Sequence, residues 1–279
     1  MPPRRLRLDA ELVRRGLARS REQASDLVAA GRVKVGGMVA TKPATGVTTD
    51  VAILVADDPD DPGYASRGGH KLAGALAAFG PLGLQVEGRR CLDAGASTGG
   101  FTDVLLRAGA SEVVAVDVGY GQLVWRLQQD ERVRVHDRTN IRDLTVDLIG
   151  GPVDLVVGDL SFISLDLVLD ALVAVTRADG DLALMVKPQF EVGRDRVGKG
   201  GVVRDLALRA EAVSGVARAG LRRGWGVVAV TTSPLPGPSG NVEFFLWLRA
   251  GAPVVGEDEI RAEVERSRAL GATGERVDP

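Results

Sequence analysis

The sequence predicts an α/β protein: a doubly wound sheet of seven strands, the last antiparallel to its neighbour, behind a small α+β head. Three observations carry that expectation. From Arg89 onward, short apolar runs alternate with helix-length segments, as strands joined by crossover helices do. The run "CLDAGASTGGF", Cys91 to Phe101, closes into a glycine-rich turn at the first strand-to-helix junction, where open parallel sheets bind their ligands. The first 56 residues hold ten Lys or Arg against five acids, although the whole chain of 279 carries a net charge of -2. That length suits one large domain and a small one, since domains cluster near ~100–150 residues.

The head reads as helix, helix, hairpin. Asp9 is expected to cap a first helix bearing Leu12, Val13 and Leu17, with Gly16 at its end. Ser20 and Gln23 form a capping box for a second helix with Ala24, Leu27 and Val28 on one face and Gly31 as its stop. Val33, Val35 and Val39 then alternate around Gly36-Gly37, a two-residue hairpin signal. A basic head is the charge layout of a module that captures a polyanion, though a plain solvated face carries the same charges. The pattern "LVRRGLARSREQASDLVAAGRVKVGG" resembles the S4 RNA-binding domain. That resemblance implies contacts to RNA phosphates and shape, with Arg4, Arg5, Arg7, Arg14, Arg15, Arg19, Arg21, Arg32, Lys34 and Lys42 as the contacting cations.

Acidic "DDPDDPGYASRGG" reads as a linker, and "HKLAGALAAFG" as an amphipathic helix with Leu72, Leu76 and Phe79 on one face. The expected strands are "RRCLDAG", "EVVAVDVG", "VRVHDRT", "VDLVVGDL", "DLALMVKP", "GVVAVTTS" and "EFFLWLR". The last two are joined by "PLPGPSGN", too short for a crossover helix, which makes the final strand antiparallel. "GEDEIRAEVERSRALG" reads as a surface helix with a frayed tail behind it. The expected organisation is a head over 1–60, a linker over 61–69, the sheet domain over 70–250 and a C-terminal helix and tail over 251–279.

The glycine turn lacks the lysine of a Walker loop and the G-x-G-x-x-G of a dinucleotide fingerprint. Gly95, Gly99 and Gly100 follow Asp93, whose carboxylate repels a pyrophosphate and suits a ligand with ammonium and sulfonium charges. S-adenosyl-L-methionine is such a ligand. Asp117, after the second strand, stands where a carboxylate accepts ribose hydroxyls. Asp137 and Asn140 fall near an adenine edge, or serve only as turn formers. Cofactor contacts are thus expected over Asp93, Gly95, Ala96, Ser97, Thr98, Gly99, Gly100, Phe101, Asp117, Asp137 and Asn140.

Later strands bring Asp159, Lys187 and Glu243 to the same end, with Asp159 and Glu243 expected to hold Lys187, and Lys71 on the preceding helix. A lysine between carboxylates is equally the mark of a structural ion pair. The stretches "SRGGHKLAGAL", "CLDAGASTGGFTDVLL", "VDVGYGQL", "DLSFISL", "VKPQFEVG" and "PLPGPSGNVEFFLWL" resemble the TlyA-type family of ribosomal RNA 2'-O-methyltransferases, also called hemolysin A, over nearly the whole chain. The resemblance implies an S4 domain ahead of an FtsJ-like domain with the Rossmann-like class I methyltransferase fold. It also implies a catalytic tetrad at Lys71, Asp159, Lys187 and Glu243, and cytidine ribose in ribosomal RNA within ribosomal subunits as substrate.

Other functions fit less well. A pseudouridine synthase would use the aspartate of "RLDA", but Asp9 stands ahead of the head's helix rather than in a catalytic domain. A membrane-active protein would need a spanning segment, and no apolar run reaches the ~20 residues required. The N-terminus has no apolar stretch of a secretory signal, so a cytoplasmic location is expected. Cys91 alone makes neither a disulfide nor a thiolate metal site, and His70 and His136 lack ligand spacing, so no metal is expected. Phe162, Phe190, Trp125 and Trp247 read as packing residues, although Phe190 is placed to stack on a base. A non-catalytic RNA-binding assembly factor remains a distinct class.

Overall fold

The computed structural model describes residues 5–18, 20–56, 62–237, 239–252 and 256–272. Arg4, Arg19, most of the acidic stretch and the tail 273–279 lie outside the described residues. Contacts divide the chain into one unit over Met1–Pro62 and another over Gly63–Pro279.

In the first unit, β1 (Leu6–Arg7) leads into α1 (Leu8–Arg14), followed by α2 (Arg21–Ala29), β2 (Val33–Val35), β3 (Met38–Val39), β4 (Gly46–Val47) and β5 (Ile53–Val55). The order β3-β2-β5 forms an antiparallel sheet, and β1 pairs with β4. Ser20 Oγ accepts from Gln23 N at 3.1 Å, the first half of the expected capping box. Gly36 and Gly37 turn the β2–β3 hairpin at φ 56° and 86°, as its primed turn requires. Leu8, Leu12, Ala24, Leu27, Val28, Val33 and Ile53 fill a small core. One local expectation fails. Helix α1 begins at Leu8 with Arg7 at its cap, so Asp9 lies inside the helix. Asp9 is 3% exposed because it accepts hydrogen bonds from Arg7 and Arg21, which draw it into the core rather than to a cap.

The second unit runs α3 (Gly68–Phe79), β6 (Arg90–Ala94), α4 (Gly100–Arg107), β7 (Glu112–Val116), α5 (Trp125–Gln128), β8 (Val133–His136), β9 (Val153–Gly158), α6 (Leu169–Val175) and β10 (Thr176–Val186). Then come α7 (Pro188–Glu191), α8 (Leu206–Arg222), β11 (Trp225–Thr232), β12 (Phe244–Ala250), α9 (Glu257–Arg266) and α10 (Arg268–Ala272). The expected doubly wound sheet is present, in the order β11-β12-β10-β9-β6-β7-β8. β12 is antiparallel to both neighbours, inserted between β10 and β11.

Strand residues alternate between the two faces. Leu92, Val114, Val156, Leu182, Leu184, Leu246 and Leu248 join the core under α6, α8 and α9. Cys91, Val113, Val157, Ala183, Met185, Phe245 and Trp247 join the one under α3 and α4. Both faces are covered, so the strands read as continuous apolar runs. α9 is more than a surface helix, since Ile260 and Val264 are each 1% exposed. Cys91 is buried, and its thiol is pushed up to about 12 by that burial. No helix among the described residues is long and apolar enough to cross a membrane.

Candidate active site

Parallel strands deliver their C-terminal ends to one edge of the sheet, and the residues that follow β6, β7, β9 and β10 meet there. The glycine turn follows β6. Gly95 and Gly99 take φ of 87° and 97°, left-handed values that favour glycine. A Cβ on Gly95 would lie 3.1 Å from Asp159 O, and one on Gly99 would lie 2.4 Å from the Leu127 side chain. Gly100 opens α4 against the Ser66 side chain. Ser97 and Thr98 are exposed, whereas Ala96 and Phe101 are buried, Phe101 stacked on Phe245 at 6.0 Å.

Asp93 is fully buried. Its Oδ2 accepts from Thr102 N at 2.9 Å and Thr102 Oγ1 at 2.7 Å, while Oδ1 has no partner among the described residues. Burial pushes the Asp93 carboxyl up to about 7; the Thr102 hydrogen bonds oppose this, and the charges of Asp159 and Asp117 add to it. Asp117 accepts from Ser97 N at 2.8 Å and Gly119 N at 2.7 Å, one bond to each oxygen, so lone pairs remain for another donor. Gln122 Oε1 lies 3.4 Å from Ser97 Oγ. Asp137 accepts from Gly121 N, and Asn140 caps a short 3-10 turn by accepting from Arg142 N, so both are engaged as turn formers in the loops after β7 and β8. Asp117, and Asp93 when ionised, disfavour a polyphosphate here and suit a cation, which fits the sulfonium and ammonium of S-adenosylmethionine, whereas the charge of Asp159 is met by Lys187.

The four ionisable residues form two pairs. Lys71 Nζ, from α3, meets Glu243 Oε2 at 2.6 Å, and Lys187 Nζ meets Asp159 Oδ1 at 2.6 Å. Glu243 therefore holds Lys71, and the expectation that it shares Lys187 is corrected: α3 brings a second ammonium to the start of β12. Lys71, Lys187 and Glu243 are buried, with Glu243 Oε1 facing Gly237 and having no partner among the described residues. Lys187 also donates to Ser161 Oγ at 2.8 Å, a contact that the sequence reading missed.

Two aromatic residues adjoin Lys187. Its Nζ lies 5.9 Å from the centroid of the Phe190 ring, which stands 5.2 Å from the Phe162 ring. Phe162, expected to pack, is instead 92% exposed with φ 64°. A bulky residue at positive φ is strained by about 1–3 kcal/mol, which surrounding structure must hold. Glu191 supplies that hold by accepting from Ser164 Oγ at 2.6 Å and Leu165 N at 2.9 Å, which ties the loop after β9 to α7. Trp125 is likewise 71% exposed, whereas Trp247 is buried and donates to Asp181 at 2.7 Å.

In the head, Glu11 is buried between Arg14 and Arg15, whose hydrogen bonds hold it well below the usual carboxylate range. Arg15 further donates to Val51 O, Thr48 O and Thr49 O, so its guanidinium is consumed by the fold. Arg7 and Arg21 pair with Asp9 yet remain about half exposed, at 53% and 59% of their side chains. Arg32 donates to Ala56 O. Arg5, Lys34 and Lys42 are exposed.

Residues 64–250 match the FtsJ-like methyltransferase family and residues 6–53 the S4 domain. Over 246 residues the chain is 61% identical to the 16S/23S rRNA (cytidine-2'-O)-methyltransferase TlyA of Mycobacterium tuberculosis, covering 88% of this chain and 90% of that one. It is 41% identical to the provisionally named rRNA methyltransferase YqxC of Bacillus subtilis over 249 residues, covering 89% of this chain and 87% of that one. A solved structure of a provisionally named hemolysin from Streptococcus thermophilus superposes with TM-score 0.78 at 36% identity, covering 97% of this chain and 98% of that one.

Proposed function

Since the chain belongs to the FtsJ-like methyltransferase family, we propose that it transfers a methyl group from S-adenosyl-L-methionine to the 2'-hydroxyl of cytidine ribose in 23S and 16S ribosomal RNA. The substrate follows the name of the M. tuberculosis relative at 61% identity. The observation that carries the chemistry is the pair of buried, carboxylate-held lysines at the sheet edge that bears the glycine turn.

When bound, S-adenosylmethionine supplies an electrophilic methyl carbon and a neutral leaving thioether. Asp117 is the residue for its ribose hydroxyls, and Asp93 favours its positive charge through the turn. Asp137 and Asn140 hold the loops beside the base, while Gly95, Ala96, Ser97, Thr98, Gly99, Gly100 and Phe101 shape the turn.

Lys187 is ion-paired with Asp159 and donates one N–H to Ser161, which leaves N–H donors for a ribose oxygen. That arrangement fixes the direction from which a hydroxyl is held, and alignment of two bound reactants can contribute effective molarities of ~10⁵ M or more. The ammonium also stabilises charge on the oxygen as the hydroxyl proton passes to solvent water during methyl transfer. Lys71, kept in place by Glu243, faces the target's phosphate or ribose. Phe162 presents its ring beside this point, where stacking on a base contributes about 1–3 kcal/mol. The head's Arg5, Lys34 and Lys42, with the outer faces of Arg7, Arg14 and Arg21, meet RNA phosphates.

Methyl transfer to purified, unmethylated ribosomal subunits tests the proposal. Label is expected on the ribose 2'-oxygen of cytidine, and label on a base instead would overturn it.

A further inference from the structure

Three cations are buried among the described residues: Lys71, Lys187 and Arg209. The two lysines have carboxylate partners; Arg209, in α8, has none among the described residues. It is 3% exposed, and its Nε donates to Val203 O at 2.9 Å. Its two terminal nitrogens have no protein acceptor among the described residues, and neither is sealed from solvent. Burial holds Arg209 below its ordinary value, and the charge acting alongside is another cation, Arg204. A largely buried guanidinium whose terminal donors lack an acceptor carries a desolvation cost that an anionic ligand would offset.

Residues 191–211 hold five Lys or Arg against four acids, but Glu211 is paired with Arg196, Glu191 accepts from Ser164 Oγ and Asp205 caps α8 by accepting from Ala207 N, which leaves Arg204 and Arg209 without a carboxylate partner among the described residues. Buried Asn241 ties the segment down, accepting from Val203 N at 2.9 Å and donating to Gly201 O at 2.7 Å. Asn241 stands two residues before Glu243, which holds Lys71.

We propose that Arg209 and Arg204 form a binding site for a backbone phosphate of the RNA substrate. The inference rests on the RNA-modifying reading above. A guanidinium presents a fork of donors that matches phosphate oxygens, and a phosphodiester is the anion that RNA offers in quantity. S-adenosylmethionine carries a carboxylate as well as its sulfonium and ammonium, so its affinity for the variants separates it from a phosphate as the occupant.

The test measures binding of the full-length protein to unmethylated ribosomal subunits across a salt series, for wild type, Arg204→Ala and Arg209→Met. Each variant is expected to weaken binding about tenfold, the effect of losing one charge-assisted hydrogen bond. Each should also reduce the slope of log affinity against log salt by about one. KM for subunits rises, kcat at saturation holds, and affinity for S-adenosylmethionine stays within about twofold, a pattern no general loss of structure produces. Wild-type affinity and slope in both variants, with wild type methylating normally, would overturn the site. Should Arg209→Met melt well below wild type, exposed Arg204→Ala decides alone, and an unchanged slope there overturns the site. A wild-type protein that neither binds nor methylates either subunit overturns instead the reading on which the site depends.

Discussion

Asp93 holds a carboxyl where water cannot reach it, and that single residue gives the protein a pH dependence of definite sign. Its folded value of about 7 exceeds the unfolded value of 3.8, so the folded chain keeps a proton that the unfolded chain releases. Its contribution is greatest below about 4 and is lost as pH rises through about 7. Asp93→Asn should flatten that part of the stability profile, as denaturant titrations at several pH values would register. A cationic ligand favours the ionised form, so affinity for S-adenosylmethionine should rise with pH across about 7 in wild type and stay level in Asp93→Asn. Calorimetric titration reads both, and a level wild-type curve would contradict this role. Phe162 makes a second residue-scale case. Its ring gains little from the fold at 92% exposure, so Phe162→Ala should leave the melting temperature within about 2 °C. Methylation should fall by roughly tenfold if the ring stacks on a base.

At the scale of elements, the glycine turn and the two lysine pairs depend on close approach between neighbours. Gly99→Ala would force a Cβ to 2.4 Å from Leu127 and strain a φ of 97°, so the turn between β6 and α4 must shift. Loss of cofactor binding with the sheet intact by circular dichroism is the expected result. Glu243→Gln leaves Lys71 as a buried charge without its acid, a change that costs about 3–5 kcal/mol. Lys71→Met with Glu243→Gln should recover much of that loss without recovering activity, which a double-mutant cycle would reveal. The strands themselves were legible in the sequence because both faces are covered and each run is apolar throughout. So were the glycine turn and the final strand's direction, since Pro and Gly in 234–240 leave no room for a crossover. Which lysine meets which carboxylate was not legible. That depends on β12 entering between β10 and β11 and on where α3 crosses the sheet, neither of which has a local signature. Asp9 was misread for a related reason, since a cap and a buried acid share the same sequence signal and only the arginines at positions 7 and 21 separate them. Phe162 looked like packing because exposure is a property of the loop's positive φ, which an aromatic residue does not advertise.

At the scale of the whole molecule, the chain divides into Met1–Pro62 and Gly63–Pro279, each with its own core. We propose that the first unit captures RNA and the second performs chemistry. A chain beginning at Gly63 should then fold, bind S-adenosylmethionine with near wild-type affinity, and methylate ribosomal subunits poorly, with the loss in KM rather than kcat. The central claim is that the Lys187–Asp159 pair at the sheet edge serves methyl transfer to ribosomal RNA ribose. Its most direct test is transfer of labelled methyl from S-adenosylmethionine to separated, unmethylated small and large ribosomal subunits, with Lys187→Ala alongside. The account predicts label on the cytidine 2'-oxygen with wild type and a loss of about 10²–10⁴-fold in the variant, whose cofactor binding persists. Equal labelling by wild type and Lys187→Ala, or none with either subunit while the cofactor is bound, would contradict it.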